Sequence, residues 1–391
     1  MPENKLIESS DKIIALCKER KKLKLTWNEL AEKCFKDLNI EINGENLRQT
    51  YVRHKRKNGE FEKLKKDKIQ EKLIKFKKEK IKFQDEKNEV ARQLRQIARF
   101  DSLKEYIGKA ANKISKMKPI LSDGNHLIPV ANSDKEGVLL ISDWHSDEEI
   151  DNFINKFNKD EFLKRIDKLI HKTIEHGKFH DISTLHVVNM NDLVGGIIHL
   201  LIRISANEDI ISQIMFVSEL ISEMLVKFSK HFNKVIFYNV IDNHSRVHPD
   251  KKQNKNKENF SRFIPWFLNI RVESIKNILI NFDSVTDDEF AYFKVCNSDC
   301  IAVHGDKDNP ESVIKTLPNL IKKNIEYIFM AHYHHNIENE SNKIEVIVNQ
   351  SLVGSDDYCK NHRMSSKPSQ KFMVFDHEVG RLATYNIRVD V

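Results

Sequence analysis

Asp143-Trp144-His145, Asn191-Asp192, Asp242-Asn243-His244, His304-Gly305-Asp306 and His332-Tyr333-His334 follow one another along the second half of the chain, each where an apolar, strand-like run stops. Any one of them is a weak signal, because with 17 histidines in 391 residues an Asp-Xaa-His triplet is expected about once by chance. The ordered set carries the weight. Side chains two apart on an extended chain point to the same side, so Asp143 and His145, at the end of the run Val138 to Ser142, are spaced to grip one ion together. Asp192, just past the run Thr184 to Met190 and ahead of the turn residues Gly195-Gly196, offers two oxygens that can bridge two cations. The strand Lys234 to Ile241 delivers Asn243 and His244, Ile301 to Val303 delivers His304, and Tyr327 to Met330 delivers His332 and His334. In open α/β architectures sites gather at the carboxyl ends of strands. Five such ends supply a mixed oxygen and nitrogen ligand set suited to manganese, iron or zinc.

This array resembles the calcineurin-like metallophosphoesterases, over about Val138 to Asp390. The resemblance implies an α/β fold, a four-layer α/β/β/α sandwich. It implies one metal on the positions matching Asp143, His145 and His334, a second on those matching Asn243, His304 and His332, and Asp192 bridging them. His244 matches the family's catalytic histidine, which is not a ligand. Two cations roughly 3.5–4 Å apart lower the pKa of a shared water and stabilise the entering and leaving oxygens of an in-line displacement, and a histidine there protonates the leaving alkoxide or neutralises charge. The chain departs from the family at Asn191, Asp242 and Ala331, where glycine is usual, and at Ser245, where an acid is usual. Asn and, less so, Asp tolerate positive φ, so the first two replacements are compatible with tight turns.

Nearby residues have plainer readings. Arg246 is a candidate phosphate clamp, since its planar fork suits an oxyanion. Asp147 reads as a helix N-cap, and His186, inside an apolar strand, as a satisfied core residue. His199, His248 and His335 are explained by loop polarity as well as by substrate contact.

The first hundred or so residues are of a different kind. Asp11 to Lys22 and Trp27 to Leu38 read as short helices, the second opened by a Thr26/Glu29 capping box. Asn43 caps a third, which turns Leu47, Tyr51 and Val52 inward and Arg48, Gln49, Arg53, Lys55 and Arg56 outward. Residues 1–59 thus read as an all-α, helix-turn-helix-like basic module with nucleic-acid-binding character, the competing reading being a solvated helical bundle whose charge serves solubility. Residues 60–117 read as a long helical, coiled-coil-like arm, with Ile69, Phe76, Phe83, Val90 and Ile97 at seven-residue spacing, on which a homo-dimer could form. Between Arg48 and Lys82 the excess of positive charge is ten, against +7 for the whole chain. A Pro- and Gly-bearing linker (118–137) leads into the phosphoesterase-like part (138–391).

The apolar runs are too short to span a membrane and the N-terminus lacks a signal-peptide core, so the expected location is cytoplasmic. Five cysteines form no disulfide framework, and Cys296 and Cys300 flank a hairpin turn. Basic module and metal motifs together resemble phage-encoded and SbcD-like DNA repair exonucleases, which implies a manganese-dependent DNA nuclease and an ATPase partner of the kind such nucleases use. The alternatives are a small-substrate phosphatase or cyclic-nucleotide phosphodiesterase, and a non-catalytic, metal-stabilised DNA-binding scaffold.

Overall fold

A computed structural model describes residues 3–114, 133–198, 208–248, 250–254, 257–282, 285–355 and 365–390, with single positions between them. The chain divides into two compact units, Met1–Leu103 and Lys104–Val391.

In the first unit, α1 (Glu3–Glu19), α2 (Trp27–Leu38) and α3 (Gly44–Lys57) enclose a small core of Cys17, Leu30, Ala31, Cys34 and Leu47, with Trp27 and Tyr51 packed against it. α1 begins eight residues earlier than its sequence signals suggest. The Thr26/Glu29 capping box is complete, and Asn43 accepts the Asn46 N–H at 2.8 Å. Arg48, Gln49, Arg53 and Arg56 are exposed and Lys55 is half-buried over the Tyr51 ring. Arg48 grips Glu45 through two nitrogens, at 2.9 and 3.0 Å, and Gln49 donates to the same carboxylate. The next helix, α4 (Glu60–Ile114), runs for 55 residues.

In the second unit two six-stranded sheets share one core. The first has the order β14-β13-β1-β4-β5-β6, from β1 (Glu136–Ile141), β4 (Thr184–Asn189), β5 (Lys234–Asn239), β6 (Ile278–Ile280), β13 (Ser369–Asp376) and β14 (Gly380–Arg388). The second has the order β11-β12-β10-β9-β8-β7, from β7 (Val285–Asp287), β8 (Phe290–Val295), β9 (Ser298–Ala302), β10 (Tyr327–Met330), β11 (Ile337–Ser341) and β12 (Ile344–Val348). Alternate residues of each sheet meet in one cluster: Val138, Leu140, Val188 and Met373 from the first, Phe293, Ala302, Phe329 and Ile347 from the second. β2 (Ile150–Asp151) and β3 (Lys156–Phe157) make a small hairpin. The helices are α5 (Lys159–Phe179), α6 (Ile210–Ser229), α7 (Phe263–Arg271) and α8 (Val313–Ile321).

One sequence expectation changes here, and two stretches are placed by sheet pairing. The last two strands, β13 and β14, lie in the first sheet, with β13 antiparallel to β1, while β12 lies in the second. The apolar alternation of β13 is satisfied on either side of the core, so periodicity cannot choose between sheets. The stretch from Asn259 to Ile280 forms a short 3-10 turn, then α7, then strand β6 parallel to β5; Ile278, Leu279 and Ile280 are β-branched or apolar enough for helix or strand, and sheet pairing decides. Asp147 caps no helix: its Oδ1 accepts the Gly195 N–H at 2.7 Å, joining two site loops. The Cys296-Asn297 turn joins β8 to β9 as expected. His186 is buried between Tyr238 Oη at 2.9 Å and a Glu136 carboxylate oxygen at 3.1 Å, a satisfied core residue.

Candidate metal centre

Parallel strands β1, β4 and β5 end side by side in the first sheet and β9 and β10 in the second, so register gathers three motifs and two, and the packing of the sheets on one core brings the two groups together. Their loops are zipped together by backbone hydrogen bonds. Asp143 N–H donates to Asn191 O at 2.8 Å, Trp144 N–H to Asp192 O at 2.9 Å and Ala331 N–H to His304 O at 2.8 Å. Asp143, His145, Asn191, Asp192, His332 and His334 all have φ between 42° and 69°. Left-handed backbone at non-glycine residues costs free energy, and its concentration at one place marks a site where side-chain direction outweighs strain.

Two triads result. Asp143, His145 and His334 bring one ligand atom each within 4.8 Å of one another, and so do Asp192, His304 and His332. In the first, His145 Nε2 lies 3.4 Å from His334 Nε2, which lies 3.3 Å from Asp143 Oδ1. Two nitrogens on one tetrahedral ion, each about 2.1 Å from it, stand about 3.4 Å apart, so these spacings suit a shared cation. Asp143 Oδ2 is buried and has no hydrogen-bond partner.

The second triad makes a sharper case. His304 Nδ1 lies 2.8 Å from the Met190 carbonyl, which can only accept, so Nδ1 carries the proton. In the neutral ring Nε2 then presents a lone pair, yet it faces Asn243 Oδ1 at 2.8 Å and Asp192 Oδ2 at 3.1 Å. Three acceptors directed at one point repel unless a positive charge lies among them. The ring's basicity reports the same demand. Burial alone lowers it, but Asp192, Asp143 and Asp242 push the His304 pKa up to about 10. Asp192 opposes burial through His244, His304 and His332 and is held well below the usual carboxylate range. His145, by contrast, is buried beside His244 and His334 and drops to about 3, the neutral form a metal ligand needs. The donor set, neutral imidazoles and buried carboxylates, therefore fits divalent cations.

His244 stands beside the triads rather than in them. Its Nδ1 donates to Gly195 O at 2.9 Å, its backbone N–H approaches Asp192 Oδ1 at 3.4 Å, and its Nε2 lies 3.9 Å from Asp192 Oδ2. Gly196 makes room for it: with φ 72°, a Cβ at that position would stand 2.0 Å from His244 O.

Asp242 is the residue that motif reading undervalued. Its φ is not left-handed, so it does not act as a glycine substitute. Its carboxylate accepts from Asp192 N at 2.8 Å, Ser245 Oγ at 2.9 Å and Ser245 N at 3.0 Å, and Asn259 Nδ2 donates to its carbonyl at 2.7 Å. Burial and the neighbouring Asp192 raise its pKa to about 6. Asn191 does take left-handed backbone, and it joins a buried amide cluster with Asn189 and Asn239.

Over the second triad opens a polar cleft of about 380 Å³, lined by Asn243, His304, Arg246, Lys251 and Lys307 among others. Arg246 Nε donates to His248 O at 3.1 Å. Lys251 pairs with Asp306 at 3.0 Å, and Lys307 with Glu289. A larger groove of about 620 Å³, with Ile107, Ile114, Ile211, Phe263 and Trp266 in its walls, lies beside this cleft and shares Ile241 and Asn259 with it, but none of the seven candidate ligands lines it. His335 is exposed and bonded within its own turn, and His248 binds Asp250. His199 lies outside the described residues.

No family model matches the chain. A protein described as SPbeta prophage-derived uncharacterized protein YonJ, from Bacillus subtilis, is 22% identical over 95% of this chain and 94% of its own length. Among solved structures, a novel archaeal phosphodiesterase aligns over 64% of this chain and 99% of its own at 13% identity and TM-score 0.31. Vps29 complexed with zinc, from Entamoeba histolytica, aligns over 64% and 99% at 10% identity and TM-score 0.31. The hypothetical protein PH1004 from Pyrococcus horikoshii aligns over 65% and 89% at 13% identity and TM-score 0.32.

Proposed function

We propose that this chain is a two-metal phosphoric ester hydrolase of the calcineurin-like kind, with the two sheets and their helices as its α/β/β/α layers, and that its substrate is DNA. The observation that carries the hydrolase reading is the confrontation of His304 Nε2 with Asn243 Oδ1 and Asp192 Oδ2, at 2.8 and 3.1 Å, beside a second triad of the same chemistry. Asp143, His145 and His334 would hold one divalent ion, Asn243, His304 and His332 the other, with Asp192 between; manganese is the expected metal, iron or zinc the alternatives. Bound there, the pair would supply an activated water and neutralise phosphate charge.

The protein's own groups do the rest. The Gly195 carbonyl holds His244 Nδ1–H and so aims Nε2 at the site, where the protonated ring gives its proton to the leaving oxygen. Arg246, on the wall of the polar cleft, supplies a planar cation for a non-bridging phosphate oxygen.

DNA is favoured over a small ester by the charge of the first unit, where Arg53, Lys55 and Arg56 project from α3 next to the lysine-rich start of α4. Lysine and arginine along a helix give affinity for a phosphate backbone irrespective of sequence. The prophage-derived relative suits a role in phage or bacterial DNA processing. Among the described residues no helix is long and apolar enough to cross a membrane.

The test is hydrolysis of end-labelled single- and double-stranded DNA with manganese, beside His244→Ala and a chromogenic phosphodiester. Cleavage of DNA by the wild type alone supports the nuclease. Cleavage of only the small diester moves the reading to a nucleotide-type phosphodiesterase, and metal-dependent stability without any hydrolysis to a scaffold.

A further inference from the structure

α4 leaves a stripe of large apolar side chains in water. Ile69, Leu73, Phe76, Phe83, Val90 and Leu94 are each between 49% and 68% exposed, and in sequence the stripe continues to Ile97. With Lys80 and Lys87 filling the two gaps of seven, the stripe alternates at spacings of four and three, the 3.5-residue period of a helix that packs along its length on another helix. A face turned to nucleic acid needs cations, not phenylalanines. One buried partner helix of the same pattern satisfies the stripe.

Two features of the stripe select the partner and its direction. From Ile69 to Leu94 the stripe reads Ile69, Leu73, Phe76, Lys80, Phe83, Lys87, Val90, Leu94, and turned end for end about the point between Lys80 and Phe83 it sets no lysine against a lysine. Such a pattern matches its own reversal, as a two-fold axis across the helix requires. The lysines decide against the parallel arrangement. In a parallel pair each seam residue faces its own copy, so Lys80 would meet Lys80 and Lys87 would meet Lys87. Reversed about the point between Lys80 and Phe83, Lys80 lies against Phe83 and Lys87 against Phe76 of the second copy, each stem packed and each ammonium free to reach the seam's flank. Glu79 and Glu86 stand on that flank, both exposed, with opposite charge to receive it.

We propose that the protein is a dimer built on an antiparallel coiled coil of α4, its two-fold axis near Phe83. The full-length chain at tens of micromolar should sediment at twice the chain mass. Phe83→Lys sets an ammonium against Lys80 of the second copy on both sides of the axis and should raise the dimer dissociation constant at least tenfold with unchanged helix content by circular dichroism. Direction is read from spin labels on Leu73→Cys in a Cys296→Ser background, the other four cysteines being buried. At 1.5 Å rise per residue, antiparallel helices separate the two labels by about 25–35 Å, whereas parallel helices bring them within about 15 Å. A single-chain mass, a trimer or tetramer, a dimer indifferent to Phe83→Lys, or the short distance each overturns the proposal.

Discussion

The Asp192 backbone N–H donates to Asp242 Oδ2 at 2.8 Å, so a carboxylate of the second triad is held by a buried carboxylate two residues ahead of His244. The same carboxylate takes both the N–H and the hydroxyl of Ser245. One side chain thus ties the loop after β4 to the loop after β5.

Asp242→Ala should therefore leave three buried donors unpaired. The expected loss is about 1–3 kcal/mol of stability and roughly 10- to 100-fold in metal affinity, the range typical of groups that orient ligands. Thermal unfolding with and without manganese, and calorimetric metal titration, measure both. Undiminished affinity would show that Asp192 needs no such support.

His244→Ala is expected to keep metal binding and to lose about 10²- to 10⁴-fold in kcat, the usual contribution of a positioned acid. Asp192→Ala should lose metal and turnover together. Wild-type rates in His244→Ala would overturn the assigned role. Gly196→Ala should resemble His244→Ala, because its methyl collides with the His244 carbonyl.

Metal-free protein should show a specific pH dependence. His304 has its folded pKa raised from 6.5 to about 10, so it binds its proton more tightly folded than unfolded. Its contribution is complete below about pH 6.5 and lost as pH rises through about 10. Asp242, raised to about 6, adds a smaller loss between about pH 4 and 6. His145, lowered to about 3, acts oppositely and weakens the fold as pH falls below 6.5. Unfolding temperature should hence decline from about pH 6.5 towards 10 without metal, and manganese should flatten that decline by replacing the His304 proton. A chelated protein whose stability rises over that interval would contradict the assignment.

Arg165 offers a test of support from further away. Its buried guanidinium donates to the carbonyls of Leu352 at 3.0 Å and Val353 at 2.9 Å. That loop in turn holds two ligands, through Leu352 N–H to Asp143 O at 3.1 Å and Ser351 N–H to His334 O at 3.3 Å. Arg165→Ala should cost roughly 3 kcal/mol, from stranded carbonyls and an unpaired Glu161, and should weaken one metal more than the other. Stepwise metal titration of the variant separates the two.

Removing the first unit should abolish DNA affinity and its salt dependence while sparing hydrolysis of a small diester. The cut belongs before Lys104, not at the linker. Residues 104–114 belong to the second unit, where Ile114 is buried and lines the apolar groove. Unchanged DNA binding by the fragment 104–391 would place the nucleic-acid contacts elsewhere.

Sequence alone determined which residues could meet. The candidate ligands all stand just past strand ends, and those ends are legible because a short continuous apolar run stops abruptly at a polar motif. The helices of the first unit were equally legible, since Thr26 and Asn43 announce their starts through local hydrogen bonds. Tertiary structure decided what depends on partners distant in the chain. β13 joined β1 because pairing satisfies backbone groups wherever a complementary edge stands, and no local pattern names that edge. The role of Asp242 stayed hidden because a carboxylate's partners, here the N–H of Asp192, are set by how two loops cross rather than by the residues beside it. The left-handed backbone at Asp143, His145, Asp192, His332 and His334 was also invisible, because no glycine marks it. It is strain that only the surrounding packing can hold, and it aims all five side chains at one place.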